Sequence, residues 1–197
     1  MVDEERLARM DEKRKRFEAT MIPHLDAAYS LARWLTRNDA DADDVVQDAF
    51  LRAYRAFEGF RGGDARPWLF AIVRNCHRTR WARNRQNAEV PLAEEHAGQG
   101  DGEAGMAAAL VASDETPEAA LIRSDTASSL AAVLAELPVD YREVLILREF
   151  EDLSYRDIAA VVGRPIGTVM SRLARGRALM RERWLALTAE KADHGMR

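Results

Sequence analysis

Apolar residues recur with the period of an α-helix along almost the whole of this sequence, and that spacing constrains the fold more than any other feature. Alternating apolar and polar runs bounded by Gly or Pro turns, the pattern of β-strands, are absent from the sequence. The sequence therefore predicts an all-α protein. One predicted helical face carries the apolar residues Ile22, Leu25, Ala28, Tyr29, Ala32 and Leu35.

Three helices are predicted before residue 88. A run of aspartates in "TRNDADADD" suits the positive N-terminal end of the second helix. Glycines in "EGFRGGDARP" end that helix, and Pro67 suits the first turn of the third. The predicted helices cover approximately residues 21–35, 43–57 and 65–83.

Four more helices are predicted after residue 117. Pro138 and Pro165 fall at helix starts, and Ser154 is suited to cap a helix N-terminus. Because the connections are short, these helices are expected to form a compact bundle. They cover residues of about 118–136, 139–150, 155–162 and 166–187.

The stretch between the two blocks has a different composition. Residues 88–120 contain eight acidic residues and no Lys or Arg, with many Gly and Ala, which predicts a flexible acidic linker. About 30 residues reach at most about 100 Å, so two small helical domains joined in this way can reach DNA sites two helical turns, about 70 Å, apart. The predicted organisation is a charged extension, a first domain, the linker, a second domain and a tail, over residues 1–20, 21–87, 88–116, 117–187 and 188–197.

The net charge of −4 conceals two basic segments. Residues 61–85 hold seven arginines against Asp64, and residues 164–183 hold six against Glu182. Without the eight acidic residues of the stretch 88–120 the net charge would be +4. Only three of the 29 basic residues are lysines, a bias that a GC-rich genome and selection for bidentate arginine contacts explain equally well.

The second basic segment, "LSYRDIAAVVGRPIGTVMSRLARGR", has the outline of a helix-turn-helix with Gly163 at the turn. Val169, Leu173, Gly176 and Met180 share an apolar face of its second helix. Polar residues on another face are suited to form hydrogen bonds with base edges and phosphates. The alternative interpretation is a basic face that contacts only solvent. The polar set is Arg164, Thr168, Ser171, Arg172 and Arg175.

The first basic segment, "RPWLFAIVRNCHRTRWARNRQ", interleaves aromatic residues and arginines. Its apolar face consists of Leu69, Ile72, Val73 and Cys76. The other face suits a nucleic-acid backbone and a stacked base, although a single Trp at helical spacing is also typical of a protein core. That face is predicted to carry Arg74, Asn75, Arg78, Trp81 and Arg85.

The sequence lacks the motifs of common enzymes. The four histidines have no metal-ligand spacing, and P-loop, GxGxxG and GxSxG motifs are absent. Cys76 is the only cysteine, so an intrachain disulfide and a cysteine-rich zinc site are excluded. No apolar run approaches the roughly 20 residues of a membrane span, and the charged start lacks the core of a secretion signal. We expect a non-catalytic cytoplasmic protein with no cofactor and no metal.

Two blocks of this sequence together resemble a known family. They are "DADDVVQDAFLRAYRAFEGFRGGDARPWLFAIVRN" and, across the linker, "LAELPVDYREVLILREFEDLSYRDIAAVVGRPIGTVMSRLARGRALM". In order and spacing they resemble regions 2 and 4 of bacterial RNA polymerase sigma factors of the extracytoplasmic-function (ECF) group. The resemblance implies a sigma region 2-like bundle and a sigma region 4-like helix-turn-helix bundle, with no catalysis of their own.

The resemblance also implies roles for particular positions. One set matches the segment that binds the clamp helices of the largest catalytic subunit of the polymerase: Asp43, Asp44, Val45, Gln47, Asp48, Leu51 and Arg52. A second set matches the part that opens the −10 element and holds an extruded base: Phe60, Arg61, Gly62, Gly63, Asp64, Ala65, Asn75, Arg78 and Trp81. The third set matches the helix that enters the major groove at the −35 element: Arg164, Thr168, Ser171, Arg172 and Arg175.

The partners implied by the resemblance are core RNA polymerase, promoter DNA and an anti-sigma factor. The implied function is promoter recognition and help with DNA opening. A decoy that sequesters an anti-sigma factor without initiating transcription is the alternative, and a free-standing helix-turn-helix repressor would leave the first block unexplained. The acidic linker is interpreted either as a mimic of RNA in the polymerase or as a simple tether.

Overall fold

The structure of the protein is a computed structural model that describes residues 2–87 and 117–194. These residues are almost entirely helical and contain no β-strand, which confirms the all-α prediction. The predicted linker, residues 88–116, lies outside the described residues. No helix in the described ranges is long and apolar enough to cross a membrane.

The N-terminal unit is formed by four helices with two short 3₁₀ turns between them. A side-chain oxygen of Asn38 accepts from the backbone N–H of Asp41 at 3.0 Å and caps the helix that follows. That helix begins at Asp39, four residues before the start at about residue 43 that the aspartate run predicts. The helices are α1 (Val2–Met21), α2 (Leu25–Thr36), α3 (Asp39–Ala56) and α4 (Ala65–Asn87), and the 3₁₀ turns are Ile22–His24 and Phe57–Gly59.

Helices α2, α3 and α4 pack against one another around fully buried side chains, including Trp34 and Phe70. One face of α3 points inward, with Ala53 of the helix and Phe57 directly after it buried. Helix α1 buries large apolar side chains only toward its C-terminal end. Phe17 and Met21 are buried, while Leu7 and Met10 are 62% and 54% exposed, so its C-terminal half holds it to the unit.

The C-terminal unit is also a small helical bundle. The hydroxyl of Ser154 accepts from the backbone N–H of Asp157 at 3.1 Å, which confirms the predicted cap. The last helix continues seven residues beyond the predicted end at Leu187, so most of the predicted tail is helical. The elements are α5 (Pro117–Glu136), α6 (Val139–Leu145), a π-helical turn (Ile146–Phe150), α7 (Tyr155–Val162) and α8 (Ile166–His194).

The two units contact each other. Helices α2 and α4 of the N-terminal unit pack against α6, the π-helical turn and α7 of the C-terminal unit. Arg74 of α4 and Glu143 of α6 are both buried there, although the sequence placed Arg74 on the outward face of α4. That expectation was wrong because helical periodicity within α4 carries no information about a second unit that covers part of it.

Candidate nucleic-acid and protein interfaces

Helix α3 presents a mixed acidic and apolar surface. Asp43, Asp44 and Gln47 are exposed, and Leu51 beside them is 52% exposed. The leucine offers an apolar contact and the carboxylates offer charge complementarity to a basic protein partner. Val45, grouped with these residues from the sequence, is 1% exposed, so it belongs to the core beneath this surface.

Ion pairs fix the remaining charged residues of this surface. Arg52 pairs with Asp48 one turn before it, with Nη2 2.8 Å from Oδ2. Burial acts to raise the pKa of Asp48, but the hydrogen bond and charge of Arg52 outweigh it and lower that pKa. Arg80 of α4 reaches Asp41 at 2.9 Å and Asp44 at 2.8 Å. These ion pairs connect the start of α3 to α4.

The lone cysteine lies behind the same ion pairs. Cys76 is 2% exposed. Burial, together with the nearby Asp48 carboxylate, raises the pKa of its thiol to about 11. A thiol that stays protonated at neutral pH is a poor nucleophile, and its position matches the predicted core face of α4.

The loop before α4 combines unusual backbone with aromatic support. Gly62 and Gly63 have φ values of +85° and +88°, which residues with a Cβ rarely adopt. Phe60 packs between Phe57 and Trp68, with ring centroids 6.0 and 5.3 Å apart. The two glycines thus form a sharp exposed turn on a rigid aromatic base, and the exposed Arg61 lies next to them.

Asp64 begins α4. Its Oδ1 accepts from the backbone N–H of Arg66 at 3.0 Å, and its Oδ2 accepts from the Arg66 guanidinium at 3.2 Å. Burial opposes ionisation, yet these bonds lower the pKa of Asp64. Ala65 is buried. Ala65 therefore lies beneath the loop, while the two glycines, Arg61 and Asp64 are exposed.

Further along α4, three of the predicted DNA-binding residues share the solvent side. Asn75 and Arg78 are exposed, and Trp81 is 55% exposed. The Arg85 guanidinium lies 4.8 Å from the centroid of the Trp81 ring, an arrangement that holds the indole at the surface. An exposed indole held by an arginine is suited to stack on a base.

The helix-turn-helix forms as predicted. Gly163 ends α7 in the left-handed conformation, with φ +61°. In α8, Val169 and Leu173 are 0% and 1% exposed, and Gly176 is buried against Leu145. The opposite side of α8 is open to solvent.

The predicted recognition residues of α8 divide into two groups. Arg164, Ser171 and Arg175 are exposed. Arg172 instead donates from Nη2 to Oδ2 of Asp140 in α6 at 2.6 Å, and its side chain is 15% exposed. Thr168 is half-buried. Arg172 therefore braces α8 against α6 in this conformation.

Sequence reasoning missed two apolar residues on the outer surface of α8. Ile166 and Met170 are 49% and 53% exposed. By helical spacing both lie beside Val169 and Leu173 of the apolar stripe, so periodicity alone gave no signal that they are exposed. In a major groove, such side chains suit the methyl group of thymine.

Within the described ranges, no group of three or more His, Cys, Asp or Glu side chains is arranged to hold a metal ion. The surfaces that are present consist of an acidic and apolar helix face, a glycine turn beside an exposed indole, and a basic helix. This set is typical of a protein that binds macromolecules.

Comparison with known proteins agrees with a protein that carries these three surfaces. The models of sigma-70 region 2 and sigma-70 region 4 match residues 21–87 and 127–180. The RNA polymerase sigma-H factor of Pseudomonas aeruginosa is 34% identical over 88% of this chain and 87% of its own length. The ECF RNA polymerase sigma-E factor of Haemophilus influenzae is 36% identical over 76% of this chain and 77% of its own.

Two solved structures share the fold. Sigma factor RpoE of Bartonella quintana, in complex with the anti-sigma factor NepR, superposes with a TM-score of 0.65 at 26% identity, over 86% of this chain and 96% of that chain. CnrH, in complex with the cytosolic domain of CnrY, gives a TM-score of 0.56 at 25% identity, over 86% of this chain and 87% of that chain. Sigma factors are non-catalytic promoter-specificity subunits of RNA polymerase, and this chain belongs to their ECF group.

Proposed function

We propose that this chain directs core RNA polymerase to promoters with a −10 and a −35 element and helps to open the DNA. The observation that carries the proposal is the two-sided character of α8. Its inner side is fixed by Val169 and Leu173, while Arg164, Ser171 and Arg175 are exposed on its outer side. A rigid helix with an open polar face and flanking arginines is suited to the major groove.

The N-terminal unit supplies two further surfaces. The exposed Asp43, Asp44, Gln47 and Leu51 of α3 bind the clamp helices of the polymerase. The glycine turn at Gly62 and Gly63, with Asn75, Arg78 and Trp81 of α4, binds the −10 element and holds an extruded base. Because the two surfaces belong to different helices, polymerase binding and DNA binding are separable by mutation.

An anti-sigma factor is the third partner of the proposal. The support is that RpoE of Bartonella quintana was solved with the anti-sigma factor NepR, and that CnrH was solved with the cytosolic domain of CnrY. The covered surface in this chain is expected to include the DNA-binding or polymerase-binding residues named above.

Run-off transcription tests the proposal. Core polymerase and the purified chain are incubated with a library of genomic promoter fragments, and each is omitted in turn. Defined transcripts that require both components support the proposal. Binding to core polymerase with no transcript from any fragment would overturn it in favour of the decoy function.

A further inference from the structure

Helix α1 carries four consecutive basic residues, 13–16. Apart from its last residue, Met21, the helix lies before the range that the model of sigma-70 region 2 matches. None of the surfaces proposed above for polymerase or DNA includes a residue of α1. The contacts of the four basic side chains show which of them is available to a partner.

Two of the four side chains are already paired. Nζ of Lys13 lies 3.6 Å from a carboxylate oxygen of Glu58. Arg14 lies 3.5 Å from Asp11 and 3.6 Å from Glu18, one turn before and one turn after it on α1. The positive charges of Lys13 and Arg14 are therefore balanced within the N-terminal unit.

The other two, Lys15 and Arg16, are exposed and have no ion pair among the described residues. At about 100° per residue, Lys15 lies about 200° around the helix from Phe17. Phe17 is buried, so Lys15 points away from the unit. Arg16 lies beside the unit instead, with Cζ 5.9 Å from the centroid of the Phe57 ring. Arg16 is thus the unpaired cation at the side of the bundle.

Phe57 connects Arg16 to the loop that carries the glycine turn. The Phe57 ring is stacked on that of Phe60, with centroids 6.0 Å apart, and Phe60 contacts Trp68 of α4 at 5.3 Å. Along this row of rings, the loop lies between α4 and Arg16. The two distances from Phe57 place the guanidinium of Arg16 within about 12 Å of the Phe60 ring.

We infer that Arg16 extends the −10 surface onto α1 and binds a backbone phosphate of the DNA strand whose extruded base is held at the glycine turn. The inference rests on the proposed function of that turn. It adds a contact outside the matched region 2 and gives one basic residue of α1 a defined partner.

The spacing suits a single strand of DNA. One strand carries a phosphate about every 3.4 Å along a duplex axis, so about 12 Å corresponds to three or four nucleotides. Arg61, next to Phe60 and exposed, lies at the near end of this path, and Arg16 lies at the far end. A strand that leaves its base at the turn therefore has a phosphate within reach of Arg16.

The surroundings of Arg16 favour a phosphate. An arginine beside an aromatic ring keeps its N–H groups free for bidentate bonds to phosphate. Two acidic residues lie near it: Glu58 is paired with Lys13, and Glu12 is exposed one turn earlier on α1. An acidic protein segment would offer similar charge, but the row of rings leads from Arg16 to the base-holding turn, which favours DNA.

The salt dependence of DNA binding tests the inference. The complex of core polymerase and the full chain is bound to a promoter fragment that run-off transcription has identified, made single-stranded across the −10 element. Because Arg16→Gln removes one phosphate contact, the slope of log affinity against log salt should become shallower by about 0.7. From about 50 to about 200 mM salt, the advantage of the parent should shrink about 2–3-fold. Arg16→Lys keeps the charge and should keep the parent slope.

A methylphosphonate scan locates the contact on the strand. Each phosphate in turn is replaced by an uncharged methylphosphonate. The parent complex should lose affinity at a phosphate about three or four nucleotides from the extruded base, as the spacing of phosphates requires. The Arg16→Gln complex should be insensitive at that position, because its partner is already absent.

Lys15→Gln is the matched control. It removes the same charge from the adjacent residue on the solvent side of α1, and it should match the parent in affinity, slope and scan. Circular dichroism checks that every variant keeps its helicity. Equal slopes for the parent and Arg16→Gln, or an equal change in Lys15→Gln, would overturn the inference.

Two further outcomes are distinguishable. Weaker retention of Arg16→Gln on core polymerase, with an unchanged DNA slope, would assign Arg16 to a protein contact and overturn the inference. A parent chain that yields no transcript would refute the proposed function and this inference with it. A parent chain that transcribes and shows no phosphate contact at Arg16 would refute the inference alone.

Discussion

Arg172 of the recognition helix α8 is bound to Asp140 of α6, with Nη2 2.6 Å from Oδ2. Its other terminal nitrogen, Nη1, is buried without a hydrogen-bond partner among the described residues. The sequence assigned Arg172 to the −35 element together with Arg175. In this conformation the two arginines differ, because only Arg175 is exposed.

Reversing the charge of Arg172 should therefore affect stability. Arg172→Glu places a carboxylate against Asp140 and near Glu143, and we expect a loss of about 1–3 kcal/mol in the free energy of unfolding. The double variant Arg172→Glu with Asp140→Arg should recover most of it. Thermal unfolding followed by circular dichroism measures both, and a wild-type midpoint for Arg172→Glu would contradict the bracing role.

Phe17 should anchor α1 to the rest of the N-terminal unit. Its ring meets those of Tyr54 and Phe57 edge to face at 5.2 and 5.3 Å, and it is 7% exposed. Phe17→Ala is expected to cost about 3–5 kcal/mol. Leu7→Ala, at a residue that is 62% exposed, should stay within about 0.5 kcal/mol of the parent. Urea denaturation compares them, and equal effects would show that α1 is not docked.

Stability should depend on pH through His77. Burial lowers the pKa of His77, and Arg142, Arg74 and Arg78 add to that effect while Asp41 opposes it. Because the folded pKa lies below the unfolded value of about 6.5, the unfolded chain binds the proton more readily. Stability contributed by neutral His77 is present above about pH 6.5 and is lost as the pH falls through the folded pKa.

His77→Gln isolates this contribution. Glu143, whose pKa is raised by burial, changes stability in the opposite direction, but it is common to both chains. Between about pH 7.5 and 5.5, the parent should lose more thermal stability than His77→Gln. Parallel pH profiles for the two chains would refute the assignment to His77.

Two glycines of α8 should respond oppositely to alanine. A Cβ on Gly176 would lie 3.1 Å from Cδ1 of Leu145, a side chain that is itself buried, so Gly176→Ala should destabilise by about 1–3 kcal/mol. A Cβ on Gly167 meets nothing within 4 Å, so Gly167→Ala should be neutral or stabilising by up to about 1 kcal/mol. Unfolding midpoints of the two variants test these expectations. A stabilised Gly176→Ala would show that the contact between α6 and α8 can accommodate a methyl group.

The helices and their inward faces could be predicted from the sequence because apolar periodicity is a local signal. Val169, Leu173 and Gly176 were placed correctly, as were the Ser154 cap and the Gly163 turn. The ion pairs of Arg74 and Arg172 could not be predicted in this way. Each arginine pairs with a carboxylate on another helix that is distant in sequence. Arg74 pairs with Glu143, and Arg172 pairs with Asp140.

Contacts between helices also determine which residues of the predicted surfaces are buried and which are exposed. Val45 fits the polymerase-binding pattern by position, yet three-helix packing buries it. Ile166 and Met170 were missed because an apolar residue near a helix start resembles core until the packing of α6 shows which side is covered. The roles of the exposed residues in binding remain proposals that mutation can test one at a time.

The central claim is that α8 reads promoter DNA while α3 binds polymerase, and Arg175→Glu tests it most directly. Arg175 is exposed and has no ion pair among the described residues, so its reversal should leave the fold intact. Arg6→Glu, on α1, makes the same charge change at another exposed arginine outside every proposed DNA surface and serves as the control. Run-off transcription and retention on core polymerase are measured on the same preparations. We predict that Arg175→Glu binds polymerase like the parent and loses promoter-specific transcripts, while Arg6→Glu keeps both. Full transcription by Arg175→Glu would contradict it.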